Sequence, residues 1–149
     1  MLALLQRVSE AGVTVDGEPI ARIGPGLLVL IGVERGDGEA QAARIVERVL
    51  GYRVFADAAG KMNLSLAQIG GGLLLVPQFT LPADTAKSTR PSFTPAAPPA
   101  EGERLFQRVL THARAAHTPV AAGRFGAHML VALVNDGPVT FMLRAGAQG

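Results

Sequence analysis

The sequence predicts a single α/β domain, on three observations. A chain of 149 residues has the usual size of one domain and removes roughly two-thirds of its unfolded surface from water on folding. Its 48% hydrophobic and 17% charged residues are typical of an ordered globular protein. Extended apolar runs are interspersed with two segments of helical periodicity, which predicts layers of strands and helices. We therefore expect one domain over residues 1–149.

Strands are predicted ahead of the first helix. Residues 2–8 and 13–15 are short extended runs, and residues 19–23 follow an Asp-Gly turn as a hairpin partner. Residues 27–33 form a continuous apolar run, as expected of a strand that is covered on both faces. The N-terminal part of the chain is therefore expected to begin as a hairpin that leads into a buried strand.

The first helix is predicted from apolar residues that recur at helical spacing along one face. These residues are Ala42, Ile45, Val46, Val49 and Leu50. Asp37 is placed to cap the start of the helix, and Gly51 is placed to end it. A strand at residues 52–55 and a turn at residues 58–61 are expected to follow.

A buried strand is predicted at residues 73–81, and its end is polar. On a strand, Gln78 and Thr80 share one face while Phe79 takes the other, so the two polar groups need a ligand or a neighbouring backbone as partner. Thr80 is a candidate nucleophile for ester cleavage. A threonine hydroxyl needs an adjacent base, however, and no histidine lies near it in the sequence. A plain strand hydroxyl is the alternative.

The rest of the chain is predicted as a loop, a helix and two or three final strands. Residues 82–100 contain five prolines without periodicity, which is typical of a functional or mobile loop. The segment 135–138, Asn-Asp-Gly-Pro, lies between two apolar runs and predicts a stiff corner whose carbonyl groups could face a ligand. An ordinary β-turn is the alternative. The second helix is predicted from Leu105, Phe106, Val109, Leu110 and Ala113.

Composition limits the chemistry that the chain can perform. It has no cysteine, which excludes disulfides, a thiolate nucleophile and a Cys-type zinc site. The spacing of His112, His117 and His128 does not favour a metal site. No apolar run reaches the ~18–20 residues of a membrane span, so a cytoplasmic protein is expected. The net charge of +2 is weak support for nucleic-acid binding, and basic residues cluster only modestly.

Six segments, in this order, make the chain resemble the D-aminoacyl-tRNA deacylases. They are residues 5–8 (LQRV), 60–65 (GKMNLS), 78–81 (QFTL), 87–93 (KSTRPSF), 123–127 (GRFGA) and 135–140 (NDGPVT). The resemblance covers nearly the whole chain. It implies a barrel-like mixed sheet with two main helices, in a homodimer that needs no metal or organic cofactor.

The same resemblance implies a reaction and a mechanism. The expected reaction is hydrolysis of the ester between tRNA and a D-amino acid, or glycine mischarged on tRNA-Ala. The Gly137–Pro138 peptide is expected to be cis and to enter the partner subunit's pocket, where its corner would collide with an L side chain. The 2′-hydroxyl of the terminal adenosine would assist the attack, while backbone N–H groups near Gln78, Phe79 and Thr80 stabilise the oxyanion. Family members usually have Ser where this chain has Pro77.

Further residues acquire expected roles from the resemblance. Arg7 would brace the Gly-Pro corner, although an arginine on an exposed face is the alternative. Phe125 and Met129 would line the pocket, unless they belong to the core. Lys87 and Arg90 would contact phosphates of the 3′ end of aminoacyl-tRNA, unless they belong to a loop that is merely solvated. No membrane or DNA partner is expected, and the competing function is a non-enzymatic homodimeric RNA-binding module.

Overall fold

Eight strands and three helices follow one another along residues 1–146, the part of the chain that the computed structural model describes. In chain order they are β1 (Leu2–Val15), β2 (Glu18–Ile23), β3 (Gly26–Gly32), α1 (Glu39–Gly51), β4 (Arg53–Ala56), β5 (Met62–Ser65), α2 (Leu66–Ile69), β6 (Gly72–Pro77), α3 (Pro99–Ala116), β7 (Val120–Ala122) and β8 (Leu130–Arg144). None of the helices within these residues is both long and apolar enough to cross a membrane.

Strand β1 is the centre of a six-stranded mixed sheet. Along one edge it pairs antiparallel with β8 over nearly its whole length. Along the other edge, its first half pairs with β3 and its second half with β2. Strands β3, β6 and β7 extend the sheet by parallel pairing. The sheet curls into a nearly closed barrel, which confirms the expected single α/β domain with a barrel-like mixed sheet.

The hydrophobic core lies on both faces of this sheet. One cluster of buried residues lies between the outer face and helices α1 and α3, and a second fills the inside of the curl. Strands β3 and β6 contribute to both clusters, so their side chains are buried on both faces. This confirms the interpretation of residues 27–33 as a strand that is covered on both sides.

Both predicted main helices are present, and each buries the apolar face that predicted it. The predicted cap is wrong. Gly38 is the N-cap of α1, because the Asp37 carboxylate instead accepts a hydrogen bond from the Glu34 N–H at 2.7 Å. The one-turn helix α2 has no helical periodicity to predict it, and it is capped by the Ser65 hydroxyl, which accepts a bond from the Gln68 N–H at 3.2 Å.

Two breaks expected in strands are absent. Residues 2–8 and 13–15 belong to one 14-residue strand, β1. The predicted turn at residues 135–138 is a bulge inside β8, because the runs on both sides of it pair with β1: Thr140 opposes Gln6, and Asn135 opposes Val8. The chain therefore does not reverse at Gly137–Pro138, and the extra residues project from a continuous strand.

The predicted strand at residues 73–81 is too long. Strand β6 ends at Pro77, whose nitrogen has no hydrogen to donate to the ladder. Turns follow, in which the Leu81 N–H donates to the Gln78 carbonyl at 3.3 Å and the Ala83 N–H to the Thr80 carbonyl at 3.1 Å. Gln78 and Thr80 therefore do not share the face of a buried strand.

Strands β3 and β6 approach each other unusually closely at a pair of glycines. A Cβ atom on Gly26 would lie 1.9 Å from the carbonyl oxygen of Gly72. No rotamer relieves that overlap, since the oxygen belongs to the backbone of the neighbouring strand. The register that places Gly26 of β3 opposite Gly72 of β6 therefore depends on glycine at position 26.

We predict that Gly26→Ala destabilises the protein by about 3 kcal/mol or more, at or above the upper end of the ~1–3 kcal/mol that overpacking usually costs. Gly24→Ala is the matched control, because a Cβ there meets no atom within 4 Å. The free energy of unfolding from urea titration is the measurement. Equal stabilities of the two variants would contradict the close approach.

Helices α1 and α3 are joined at the surface by an ionic cluster. The Glu39 carboxylate accepts hydrogen bonds from Arg108 Nε at 3.0 and 3.1 Å and from Arg108 Nη2 at 2.9 Å. His112 Nε2 lies 2.6 Å from the same carboxylate. The hydrogen bonds from Arg108, and then that with His112, lower the pKa of Glu39 from its ordinary 4.5 to about 2.

A pKa that is lower in the folded state makes the contribution of Glu39 depend on pH. The contribution is fully present above 4.5 and is lost as the pH falls towards about 2. We therefore expect Glu39→Gln to lower the melting temperature at pH 6 by more than it does at pH 2.5. Glu103→Gln is the control, since Glu103 makes no ion pair within residues 1–146. A Glu39→Gln effect that is constant across pH would contradict the linkage.

Candidate active site

A cleft of about 700 Å³ opens where β6 ends. Its other walls come from the segment before α3, the first turns of α3 and the loop between β7 and β8. Most of the lining is apolar, with the side chains of Arg35, Gln78 and His128 as polar exceptions. The volume is in the range of sites that hold a small molecule or nucleoside. The aromatic lining residues are Phe79, Phe93, Phe106 and Phe125.

The backbone at the end of β6 leaves hydrogen-bond donors at this cleft. The Gln78 N–H still continues the ladder and donates to the Ile31 carbonyl at 2.7 Å. Within the described part of the chain, the N–H groups of Phe79 and Thr80 have no hydrogen-bond acceptor. The Phe79 side chain is 63% exposed and packs on Phe93, with ring centroids 5.4 Å apart. Adjacent donors of this kind are suited to bind a developing negative charge.

The Thr80 hydroxyl has a partner that is not a base. It accepts a hydrogen bond from Gln78 Nε2. No histidine or carboxylate of residues 1–146 forms a hydrogen bond with it, and Thr80 is not among the residues that line the cleft. The Gln78 and Thr80 side chains, which the sequence expects to need a partner, therefore bind each other. The geometry does not activate Thr80 as a nucleophile.

Phe125 and Met129 line the cleft, as the resemblance implies. The loop that carries them is compact. The Arg124 N–H lies 3.4 Å from Met129 Sδ, and a Cβ on Gly123 would lie only 2.8 Å from the same sulfur. Phe125 lies over Gly102 of α3, since a Cβ there would be 3.5 Å from the ring. The absence of a side chain at Gly123 lets the loop pack closely against the cleft.

The bulge at Gly137–Pro138 is held from two sides. Arg7, whose side chain is 18% exposed, donates from Nε to the Asp136 carbonyl at 3.0 Å and from Nη1 to the Val54 carbonyl at 2.7 Å. The Asn135 amide closes the bulge, because its Oδ1 accepts from the Val139 N–H at 3.1 Å. The Gly137–Pro138 peptide is cis. Arg7 therefore contacts the corner. The sequence alone did not decide between this role and an arginine on an exposed face.

The cleft and the corner do not meet within one chain. Neither Arg7 nor Gly137 nor Pro138 is among the residues that line the cleft. The structure thus brings Gln78, Phe79, Phe125 and Met129 together and places the corner elsewhere. Exposed apolar side chains lie on β8 on both sides of the corner, namely Leu130, Val134, Phe141 and Met142.

Lys87 and Arg90 lie at the tip of the long loop, away from the lining of the cleft. The loop is irregular, as predicted, but Asp84 and Ser92 pair across it through two backbone hydrogen bonds of 2.9 Å. Lys87 Nζ is 3.9 Å from the Asp84 carboxylate. Both side chains are exposed to solvent.

Sequence reasoning missed Arg35 and Phe93, and it considered His128 only as a candidate metal ligand, a role that the spacing did not favour. Arg35 follows β3, which is parallel to β6, and the carboxyl ends of parallel neighbours lie at one edge of a sheet. That pairing was the available signal for Arg35. Phe93 reaches the cleft only through the path of the long loop, which no local pattern predicts. Within residues 1–146 there is no group of three His, Asp or Glu side chains that could hold a metal ion.

Comparison with known proteins identifies the family. The family model described as D-Tyr-tRNA(Tyr) deacylase matches residues 4–144. The chain belongs to this family. It is 68% identical over 143 residues to a D-aminoacyl-tRNA deacylase of Thioalkalivibrio sulfidiphilus, with 96% of each chain covered. It is 65% identical over 144 residues to one of Nitrosococcus oceani, covering 97% of this chain and 93% of that protein.

Two solved structures share the deacylase fold of this chain. One, described as c-Myc DNA Unwinding Element Binding Protein, has a TM-score of 0.94 and 38% identity, and covers 99% of this chain and 100% of its own. The other comes from an analysis of a probable eukaryotic D-amino acid tRNA deacylase. It has a TM-score of 0.83 and 18% identity, and the match covers 97% of this chain and 98% of the other. The second likeness concerns the fold alone.

Proposed function

We propose that this chain is a D-aminoacyl-tRNA deacylase, a hydrolase of the ester bond between a D-amino acid and the 3′ end of tRNA. Its family and its relatives support the activity. The observation that carries the proposal is the pair of N–H groups of Phe79 and Thr80, which lack an acceptor within residues 1–146. Phe79 lines the apolar cleft, and Thr80 follows it directly in the chain. The substrate is cytoplasmic, and we place the protein there.

The terminal adenosine of tRNA occupies the cleft in this proposal. The flat aromatic face of the base suits walls that are formed by Phe93, Phe125 and Met129. The ester then lies near the end of β6, where the N–H groups of Phe79 and Thr80 stabilise the oxyanion of the tetrahedral intermediate. Further out, Lys87 and Arg90 contact phosphates of the acceptor end, since both are exposed on the loop that follows β6.

The attack is assisted by the 2′-hydroxyl of that adenosine. It lies next to the ester in every aminoacyl-tRNA and can act without losing translational freedom. Thr80 positions Gln78 through their hydrogen bond and is not the nucleophile. Pro77, at the position where family members usually have Ser, supplies no hydroxyl and no N–H. The donors that the proposal uses begin two residues later, and they are unaffected by that replacement.

Specificity comes from the corner of a second copy of the chain. Within one chain, Gly137 and Pro138 are not among the residues that line the cleft, while β8 exposes apolar side chains on both sides of the corner. In a two-fold homodimer, the corner of one subunit enters the cleft of the other. It leaves room for hydrogen at the α-carbon of glycine, or for a D side chain directed away, and it collides with an L side chain. Glycine mischarged on tRNA-Ala is therefore also a substrate.

A non-enzymatic RNA-binding homodimer is the competing function, because the chain has no conventional nucleophile. One solved relative is described as binding a DNA element, and this supports nucleic-acid binding without catalysis as the alternative. We do not expect DNA as a partner of this chain. The discriminating measurement is release of the free amino acid, which binding alone does not cause.

We predict that the protein releases amino acid from D-tyrosyl-tRNA and from glycyl-tRNA-Ala, but not from L-tyrosyl-tRNA. The L-ester is excluded by steric collision, so its kcat/KM is expected to be lower by at least about 100-fold, or ~2.7 kcal/mol. Initial rates of deacylation are the measurement. Tight binding of all three RNAs without release of amino acid would favour the non-enzymatic module. An active monomer in sedimentation would refute the shared site.

The corner can be tested through Arg7. Arg7→Ala removes the two hydrogen bonds that hold the bulge to the Asp136 and Val54 carbonyls. We expect the ratio of D- to L-ester kcat/KM to fall, because a mobile corner excludes the L side chain less well. Arg22→Ala is the matched control: within residues 1–146, this exposed arginine on β2 pairs only with Glu10 at the surface. An unchanged ratio of D- to L-ester kcat/KM in Arg7→Ala would show that the bracing of the corner does not determine the preference for D-esters.

The group that performs the attack can be tested through Thr80. We expect Thr80→Ala to keep most single-turnover activity on D-tyrosyl-tRNA, because removing a true nucleophile costs several orders of magnitude in rate and removing a positioning hydroxyl costs far less. A substrate with a terminal 2′-deoxyadenosine is expected to be cleaved slowly by both proteins. An inactive Thr80→Ala that is paired with normal cleavage of the deoxy substrate would assign the attack to threonine.

A further inference from the structure

The charge of the cleft is one-sided. Its lining includes two basic side chains, Arg35 and His128, and no aspartate or glutamate. The remaining walls are mostly apolar, and Arg35 is an exposed residue beside them. A ligand that fills this space is therefore favoured if an apolar or aromatic part is joined to an anionic group.

Arg35 is fixed in place at this cleft. Its Nε donates to the Thr94 carbonyl at 2.6 Å and its backbone N–H to the Pro95 carbonyl at 3.0 Å. A β-bridge between Glu34 and Ala96 joins the same two segments. The guanidinium is thereby tied to the loop that brings Phe93 to the cleft. Holding one end of a guanidinium reduces the entropy lost when its other N–H groups bind.

The terminal nitrogens of Arg35 have no partner within residues 1–146. This distinguishes Arg35 from Arg104, Arg108 and Arg144, each of which forms a hydrogen bond with a carboxylate. A planar guanidinium with two free donor nitrogens matches the geometry of a phosphate, which it can bind through two parallel hydrogen bonds.

We propose that Arg35 binds the 5′-phosphate of the terminal nucleotide, the one that carries the amino acid. The inference rests on the proposed function and adds a residue that anchors the nucleotide. With its base among the apolar walls and its phosphate on Arg35, the nucleotide is held at two points. Its ribose and ester then have one orientation relative to the N–H groups of Phe79 and Thr80. Lys87 and Arg90 lie outside the cleft and meet phosphates further upstream.

The test measures binding, so that it does not depend on catalysis. Two non-hydrolysable ligands are compared by titration calorimetry: adenosine that carries D-tyrosine through a 3′-amide, and the same compound with a 5′-phosphate. Charge-assisted hydrogen bonds contribute enough that we expect the phosphate to tighten binding to the unsubstituted protein by about 10- to 100-fold. The quantity of interest is the ratio of the two Kd values in each protein.

In Arg35→Ala, the ratio is expected to fall to about 1, whereas Arg35→Lys retains part of it, since an ammonium keeps the charge but loses the two-point geometry. Arg44→Ala is the control: Arg44 is exposed on α1, pairs with Glu47 and is expected to leave the ratio as it is. Because each ratio compares two ligands of one protein, a general loss of affinity cancels.

Three results would overturn the proposal. They are a phosphate that does not tighten binding to the unsubstituted protein, a ratio that survives in Arg35→Ala, and a ratio that is lost in His128→Ala but not in Arg35→Ala. The proposed function is tested separately by release of D-tyrosine from D-tyrosyl-tRNA. A phosphate preference that depends on Arg35, in a protein that releases no D-tyrosine, would keep the nucleotide site and reject the deacylase activity.

Discussion

The pairing of β1 along both of its edges is the constraint on which the rest of the structure depends. On one edge, β8 runs past the entire strand, so the residues that do not fit the ladder must leave it as a bulge opposite Arg7. On the other edge, β3 is set beside β1, and β6 is set beside β3 by parallel pairing. The same ladder therefore determines where the Gly137–Pro138 corner projects and where the carboxyl end of β6 opens a cleft.

The chemistry of the cleft follows from the way β6 ends. Strand β6 ends at Pro77, and the Gln78 N–H makes the last bond to β3. The turns that follow use the carbonyl groups of Gln78 and Thr80 as acceptors, while the N–H groups of Phe79 and Thr80 have no acceptor within residues 1–146. Backbone donors have fixed positions, so they can stabilise charge without any reorganisation. This is consistent with an active site in which side chains shape the space and hold the substrate, while backbone groups and the substrate's own hydroxyl perform the chemistry.

The cleft and the corner are separate in one chain, and the proposed homodimer would bring them together. The corner is braced by Arg7 and Asn135, and within residues 1–146 it does not line the cleft of its own chain. A second subunit would cover exposed apolar side chains of β8 and bring its own corner to the cleft. Specificity would then depend on assembly, because an isolated subunit would have the donors and the nucleotide site but not the corner that excludes L side chains.

The sequence by itself determined the class of fold, both main helices, the buried β3 and the family, because periodicity and local motifs are properties of neighbouring residues. Only the tertiary structure decided where strands stop and which segments meet. The Asn-Asp-Gly-Pro segment predicts a turn by its local chemistry. Strand β1 is long enough, however, to pair with the runs on both sides of this segment, so the segment forms a bulge. Arg35 reaches the cleft for the same reason: its position depends on the parallel register of β3 and β6 and on a distant loop, which are long-range pairings that no local pattern encodes.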